Sequence, residues 1–153
     1  MFHHFRVRFA AILMVLLASV AVHAGSSAPS YPAGQMALIQ TQEAHKGANF
    51  IEVADVTVTQ LLPDDTFGSR HQKWVVQLSN GREVACVYNI DVTPKIPLKV
   101  GDIISLGGQF IYDRDGGLLH WLHEDGRGHR PNGYVELEGV RYGANGGSGI
   151  YTK

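Results

Sequence analysis

The sequence predicts a mainly β domain, a small barrel of five to six short strands with a short N-terminal helix. Three observations carry this reading: apolar residues that alternate with period two from Phe50 onward, turn dipeptides between the alternating runs, and 18 glycines in a chain of 153 residues. With 44% hydrophobic and 18% charged residues the chain has material for one modest core and too little charge for disorder.

The first segment reads as an address. Arg6 and Arg8 precede an apolar run over 9–22, and small Val22 and Ala24 stand where a signal peptidase reads, so 1–24 is expected to be a cleaved signal peptide. The run is shorter than the ~20 residues a helix needs to cross a bilayer. The mature chain is therefore expected to begin at Gly25, to carry no membrane span, and to be periplasmic or secreted in a bacterium. The thirteen Lys plus Arg against 14 Asp plus Glu leave no basic surplus, so general nucleic-acid binding is not expected. The single Cys86 excludes an intrachain disulfide.

Residues 25–34 (GSSAPSYPAG) have linker composition. Gln35 to Lys46 is expected to form a short helix closed by Gly47. The β-branched run from Phe50 to Leu62 is the first strand, ended by the turn composition Pro63-Asp64-Asp65. His71 to Ser79 and Arg82 to Tyr88 flank Asn80-Gly81, the dipeptide of a two-residue type I′ hairpin turn. In that register Ser79 faces Arg82, and Trp74, Val76, Leu78, Ala85 and Val87 share the core face. Cys86 then falls on the second face with Lys73, Val75, Gln77, Val84 and Tyr88, where the helix is expected to cover it. Ile103 to Tyr112 is the next strand, with Gly107-Gly108 allowing a bend. Leu118 to His123 follows a glycine turn, and Gly133 to Glu138 and Val140 to Tyr142 surround Gly139. This order of strands is OB-fold-like, with an SH3-like barrel or small sandwich as the alternatives that periodicity leaves open. The domain is expected over 35–142, with 143–153 a disordered, glycine-rich tail.

Several stretches resemble a small bacterial family catalogued as domain of unknown function 3465. They are Gly68 to Trp74, Asn89-Ile90-Asp91, Ile96 to Asp102, and His120-Trp121 followed by Asp125 and Gly128. The resemblance covers roughly Asn49 to Tyr142 and implies a small exported protein with no assigned biochemistry. The family pattern after His-Trp has paired His, Asp-Pro, Gly and a final His. This chain has His123-Glu124, Gly126 in the proline position and Arg130 in the final His position, preceded by His129.

The densest polar cluster is 120–130, with three imidazoles and two carboxylates. Imidazole and carboxylate are ordinary ligands of Zn and other divalent metals, so His120, His123, Asp125 and His129 form the metal alternative. The spacing matches no standard zinc signature, and on a continuous strand His120 and His123 would face opposite sides. The first expectation is thus an exported, non-enzymatic, OB-like binding module for an unknown small ligand or protein, without cofactor. Its contacts are expected from Arg70, Lys73, Tyr88, His120, Trp121, His123, Asp125 and Arg127, with Trp74 and Tyr134 as further stacking aromatics and Trp121 burying its indole. The alternative is a metal-dependent hydrolase or nuclease built on the His120 to Arg130 cluster.

Overall fold

The computed structural model describes residues 31–143 together with Ile150 and Tyr151. The expected signal peptide and most of the expected linker and tail lie outside the described residues. The elements are α1 (Ala33–Glu43), β1 (Ala48–Asp65), β2 (His71–Gln77), β3 (Glu83–Asn89), β4 (Ile103–Ile111), β5 (Leu118–His120), β6 (Tyr134–Leu137), β7 (Val140–Tyr142) and β8 (Ile150–Tyr151).

Ring closure depends on β1. Its first half pairs antiparallel with β4 and its second half antiparallel with β2, so one strand serves two neighbours. To do so it must bend, and it bends at register shifts between Val53 and Val56 and between Val58 and Gln60, with Asp55 at φ 55°. The expected turn at Pro63 is instead the end of this strand. Proline is accommodated there because it sits within a further register shift, between Leu62 and Asp65, where its missing N–H is tolerated. With β2–β3 antiparallel, β3–β5 parallel and β5–β4 antiparallel, five strands close into a barrel-like ring. The mainly β, OB-fold-like class predicted from the sequence is the one observed.

The hairpin departs from expectation by one residue. Gln77 pairs with Glu83, the Leu78 N–H donates to the Arg82 carbonyl, and Gly81 alone of the loop residues has positive φ, at 80°. This is a three-residue loop with glycine in the left-handed position, in place of the two-residue type I′ turn. A one-residue slip turns every side chain of β3 over. Val84, Cys86 and Tyr88 therefore face the core, while Ala85 and Val87 face outward. Cys86 is fully buried, but inside the ring opposite Trp74 and not beneath the helix, and burial pushes its thiol up. A two-residue loop with both φ positive does occur at Glu138-Gly139, between the paired Leu137 and Val140.

Helix α1 starts at Ala33, before the expected Gln35, and ends without using Gly47. His45 takes φ 55°, its N–H donates to the Gln42 carbonyl and the Lys46 N–H to the Thr41 carbonyl, closing the helix in a Schellman motif. The His45 ring stacks on Tyr112 at 5.0 Å. Leu38 and Ile39 enter the core, and two glutamines tie the helix to one end of the ring. Gln35 Oε1 accepts from the Ser79 N–H (2.7 Å), and Gln42 Nε2 donates to the Gly116 carbonyl (2.7 Å). The opposite end, where His71, Asn89 and His120 lie, is left for the site. Ile150 and Tyr151 pair with β7 where a frayed tail is expected, and Gly143 accepts from the Glu124 N–H (2.8 Å). Among the described residues no helix is long and apolar enough to cross a membrane.

Candidate ligand-binding cleft

Strands β3 and β5 run parallel, so both end on the same side of the ring, and β2 begins there opposite Asn89. The chain then leaves β5 abruptly. The strand stops at His120, three residues short of the expected His123, because Trp121 adopts φ 56°. A tryptophan in the left-handed region is a strained conformation that neighbours must enforce. Gly133 is the neighbour that allows it: a Cβ there would collide with the Trp121 carbonyl oxygen, and the Gly133 N–H donates to the His123 carbonyl (2.9 Å). The early strand end has a functional result. His120 and His123, which a continuous strand would part, line one cleft.

That cleft has a volume of about 1050 Å³ and is walled by the outer face of β2 and β3 (His71, Val87, Asn89), by Val92, and by the loop from His120 to Arg130. It gathers four imidazoles, those of His71, His120, His123 and His129. Two of them are held by a hydrogen bond to one ring nitrogen. His71 Nδ1 lies 3.1 Å from Asp65 Oδ1, and His123 Nδ1 lies 2.7 Å from the Glu124 carbonyl, which only accepts. The His123 proton is therefore placed on Nδ1, and the Asp65 carboxylate places the His71 proton likewise, leaving both Nε2 atoms for other partners. The hydrogen bond from His71 holds the Asp65 carboxyl below the usual carboxylate range, with Lys73 Nζ at 3.5 Å assisting. His120 is half-buried, its Nε2 has no hydrogen-bond partner among the described residues, and burial followed by the charge of Arg130 pushes its pKa down.

Asp125 organises the loop. Its carboxylate accepts the backbone N–H groups of Arg127 (3.0 Å), His129 (2.7 Å) and Arg130 (2.9 Å), which hold it below the usual carboxylate range. These are charge-assisted bonds that shape a chain segment with no regular ladder of its own. The Arg130 guanidinium lies 4.7 Å from the centre of the Trp121 ring and donates to Gln109 Oε1 (3.0 Å) on β4. The His123 ring lies 5.5 Å from the other aromatic, Trp121.

Of the residues named from the sequence, the structure sets His120, Trp121, His123, Asp125, Arg127 and, from the metal alternative, His129 along one cleft, and disperses the rest. The register slip takes Tyr88 away from any ligand: it is fully buried in tilted contact with Trp74 (6.3 Å), which lies on the core face of β2 that the alternation predicts. Trp121 is 37% exposed, against the buried indole expected, because the strand ends before it. Lys73 faces Asp65 beside a different groove, and Arg70 is paired with Asp91 (2.7 Å). Tyr134 donates to Glu52 (2.9 Å) and carries the Arg141 guanidinium at 3.8 Å on another wall. The metal alternative meets a poor fit, since Asp125 is committed to backbone amides. Among the described residues no three His, Cys, Asp or Glu side chains are gathered to hold an ion. Ser69, His71, Val87, Asn89 and Val92 line the cleft although the sequence reading did not place them among the expected contacts. A correct hairpin register would have flagged His71, Val87 and Asn89, which share one outward face.

A family described as Protein of unknown function (DUF3465) matches residues 20–143 of the chain. No curated protein and no solved structure matches it.

Proposed function

We propose that this chain, which belongs to the family of proteins of unknown function described as DUF3465, is an exported, non-enzymatic binding module whose ligand sits in the cleft between β2–β3 and the His120 to Arg130 loop. The single observation that supports this reading is the cleft itself. It is an open concavity of about 1050 Å³ that combines apolar Val87, Val92 and Trp121 with imidazole rings fixed from behind by Asp65 and the Glu124 carbonyl. A few placed polar groups on a partly apolar wall are the usual composition of a small-molecule site. Export rests on the leader pattern of 1–24.

Native mass spectrometry of the protein recovered from the exported fraction tests this. The expected spectrum shows an N-terminus at Gly25 and a bound small-molecule mass that disappears in Val87→Arg, at an unchanged melting temperature. A metal-dependent esterase or nuclease activity abolished by chelator would overturn the proposal in favour of the hydrolase.

A further inference from the structure

We infer that the ligand of this cleft is a small organic anion, a phosphate ester or a molecule of like charge, whose anionic group meets the guanidinium and imidazole side chains while its apolar part lies on Val87, Val92 and Trp121. The inference rests on the binding-module reading and names its ligand class.

Charge is the first argument. Arg127 and Arg130 line the cleft together with Glu124 and Asp125, so guanidinium and carboxylate balance in number. They do not balance in availability, because the Asp125 carboxylate is turned into its own loop and binds three amides there. Four imidazoles complete the lining, and an imidazole adds no negative charge to it.

Donor placement is the second argument. His71 and His123 each have Nδ1 engaged from behind, so Nε2 is the ring atom each has left for a ligand. His120 Nε2 is buried without a partner among the described residues, a state that a hydrogen-bonding atom of the ligand relieves. The groups facing these rings are otherwise few. Asp65 and Lys73 stand at His71, with the Arg70–Asp91 pair beyond them, and Arg130 and His123 act on His120. Neutral imidazoles with free Nε2 atoms would also suit a cation, but the donors are too dispersed to share one ion. The cleft is moreover far larger than an inorganic phosphate, and its apolar wall calls for a ligand with an apolar part.

Calorimetric titration of the full mature chain with phenyl phosphate, inorganic phosphate and zinc chloride tests the inference. Phenyl phosphate is expected to bind at least about tenfold more tightly than inorganic phosphate. Arg127→Gln, at an exposed position that leaves the fold intact, and His71→Asn should each weaken it about fivefold or more. Absence of ester binding, inorganic phosphate binding as well as the ester, or zinc binding with no ester binding would each overturn the inference. Release of phenol, lost in His71→Asn, would support the anion class and overturn the non-enzymatic reading, so the two failures are told apart.

Discussion

The two tryptophans of this chain stand in regions held together by different physics. Trp74 is fully buried, packed against Tyr88 inside the ring, with its position dictated by the period-two alternation of β2. Trp121 is 37% exposed at a left-handed backbone position, overlaid by Arg130 and fixed by the glycine and carboxylate contacts of its loop. Around Trp74 the stabilising term is apolar area removed from water, which is non-directional and tolerant of local detail. Around Trp121 it is directional: three amides on Asp125, the Gly133 N–H on His123, and Gly143 closing on Glu124. A ring built by burial can carry a loop built by hydrogen bonds, and the cleft exists because the second begins where the first stops.

The largest effect is expected where burial dominates. Trp74→Ala should cost ~3–5 kcal/mol in urea unfolding, as for other large-to-small core truncations. Trp74→Phe should cost clearly less, because the Trp74 Nε1 is buried without a hydrogen-bond partner among the described residues and phenylalanine removes that unsatisfied donor. Equal losses for the two would mean that the indole N–H is satisfied after all.

Next in size is Gly133→Ala, whose methyl would meet the Trp121 carbonyl oxygen and the His123 N–H. Backbone must yield there, at ~1–3 kcal/mol. Phenyl phosphate binding should vanish while the near-ultraviolet circular dichroism of the Trp74–Tyr88 pair persists. Loss of that signal as well would show that ring and loop unfold as one.

The turns make a smaller and sharper test, and they show what was legible in the sequence. Asn80-Gly81 carries the strongest local hairpin signal, yet only Gly81 has positive φ, whereas Glu138 and Gly139 both do. Asn80→Gly should therefore slightly destabilise, and Glu138→Gly should stabilise by up to ~1 kcal/mol, measured by thermal unfolding. The strands and the apolar face of β2 were readable because each leaves a periodic mark. The register of β3 was not, because Asn-Gly also fits a three-residue loop and Val84 to Tyr88 is apolar enough on either face to accept both pairings. Nor was the early end of β5, which depends on Gly133 lying against Trp121, a contact with no periodicity. The membership of His71 in the cleft follows from those two facts together.

Acid should loosen the loop region before the ring. Burial lowers the His120 pKa, so the unfolded chain takes up that proton first, and stability falls as pH drops below the ordinary histidine value of ~6.5. The Asp125 carboxyl is held low by its amide bonds, so its contribution is intact above ~3.9 and is lost only as pH falls through its lowered value. Melting temperature against pH should thus decline in two separate windows, and His120→Gln should flatten the upper one alone. An unchanged upper decline in that variant would place its source in the other imidazoles.

The smallest expected change in stability, and the closest test of the contrast between the two tryptophans, is substitution of Trp121. Alanine keeps the left-handed backbone strain while removing the Arg130 cation–π contact and the His123 ring contact. Those contacts are exposed, so the loss should be about 1 kcal/mol. Glycine removes the same contacts but also the left-handed penalty, which for a side-chain-bearing residue is ~1–2 kcal/mol, so Trp121→Gly should melt near the parent protein and above Trp121→Ala. Both should lose the preference for phenyl phosphate over inorganic phosphate, since the apolar wall is gone in each. If alanine instead costs as much as it does at position 74, the indole is anchoring the core, and the loop is an extension of the ring and not a separate, ligand-shaped element upon it.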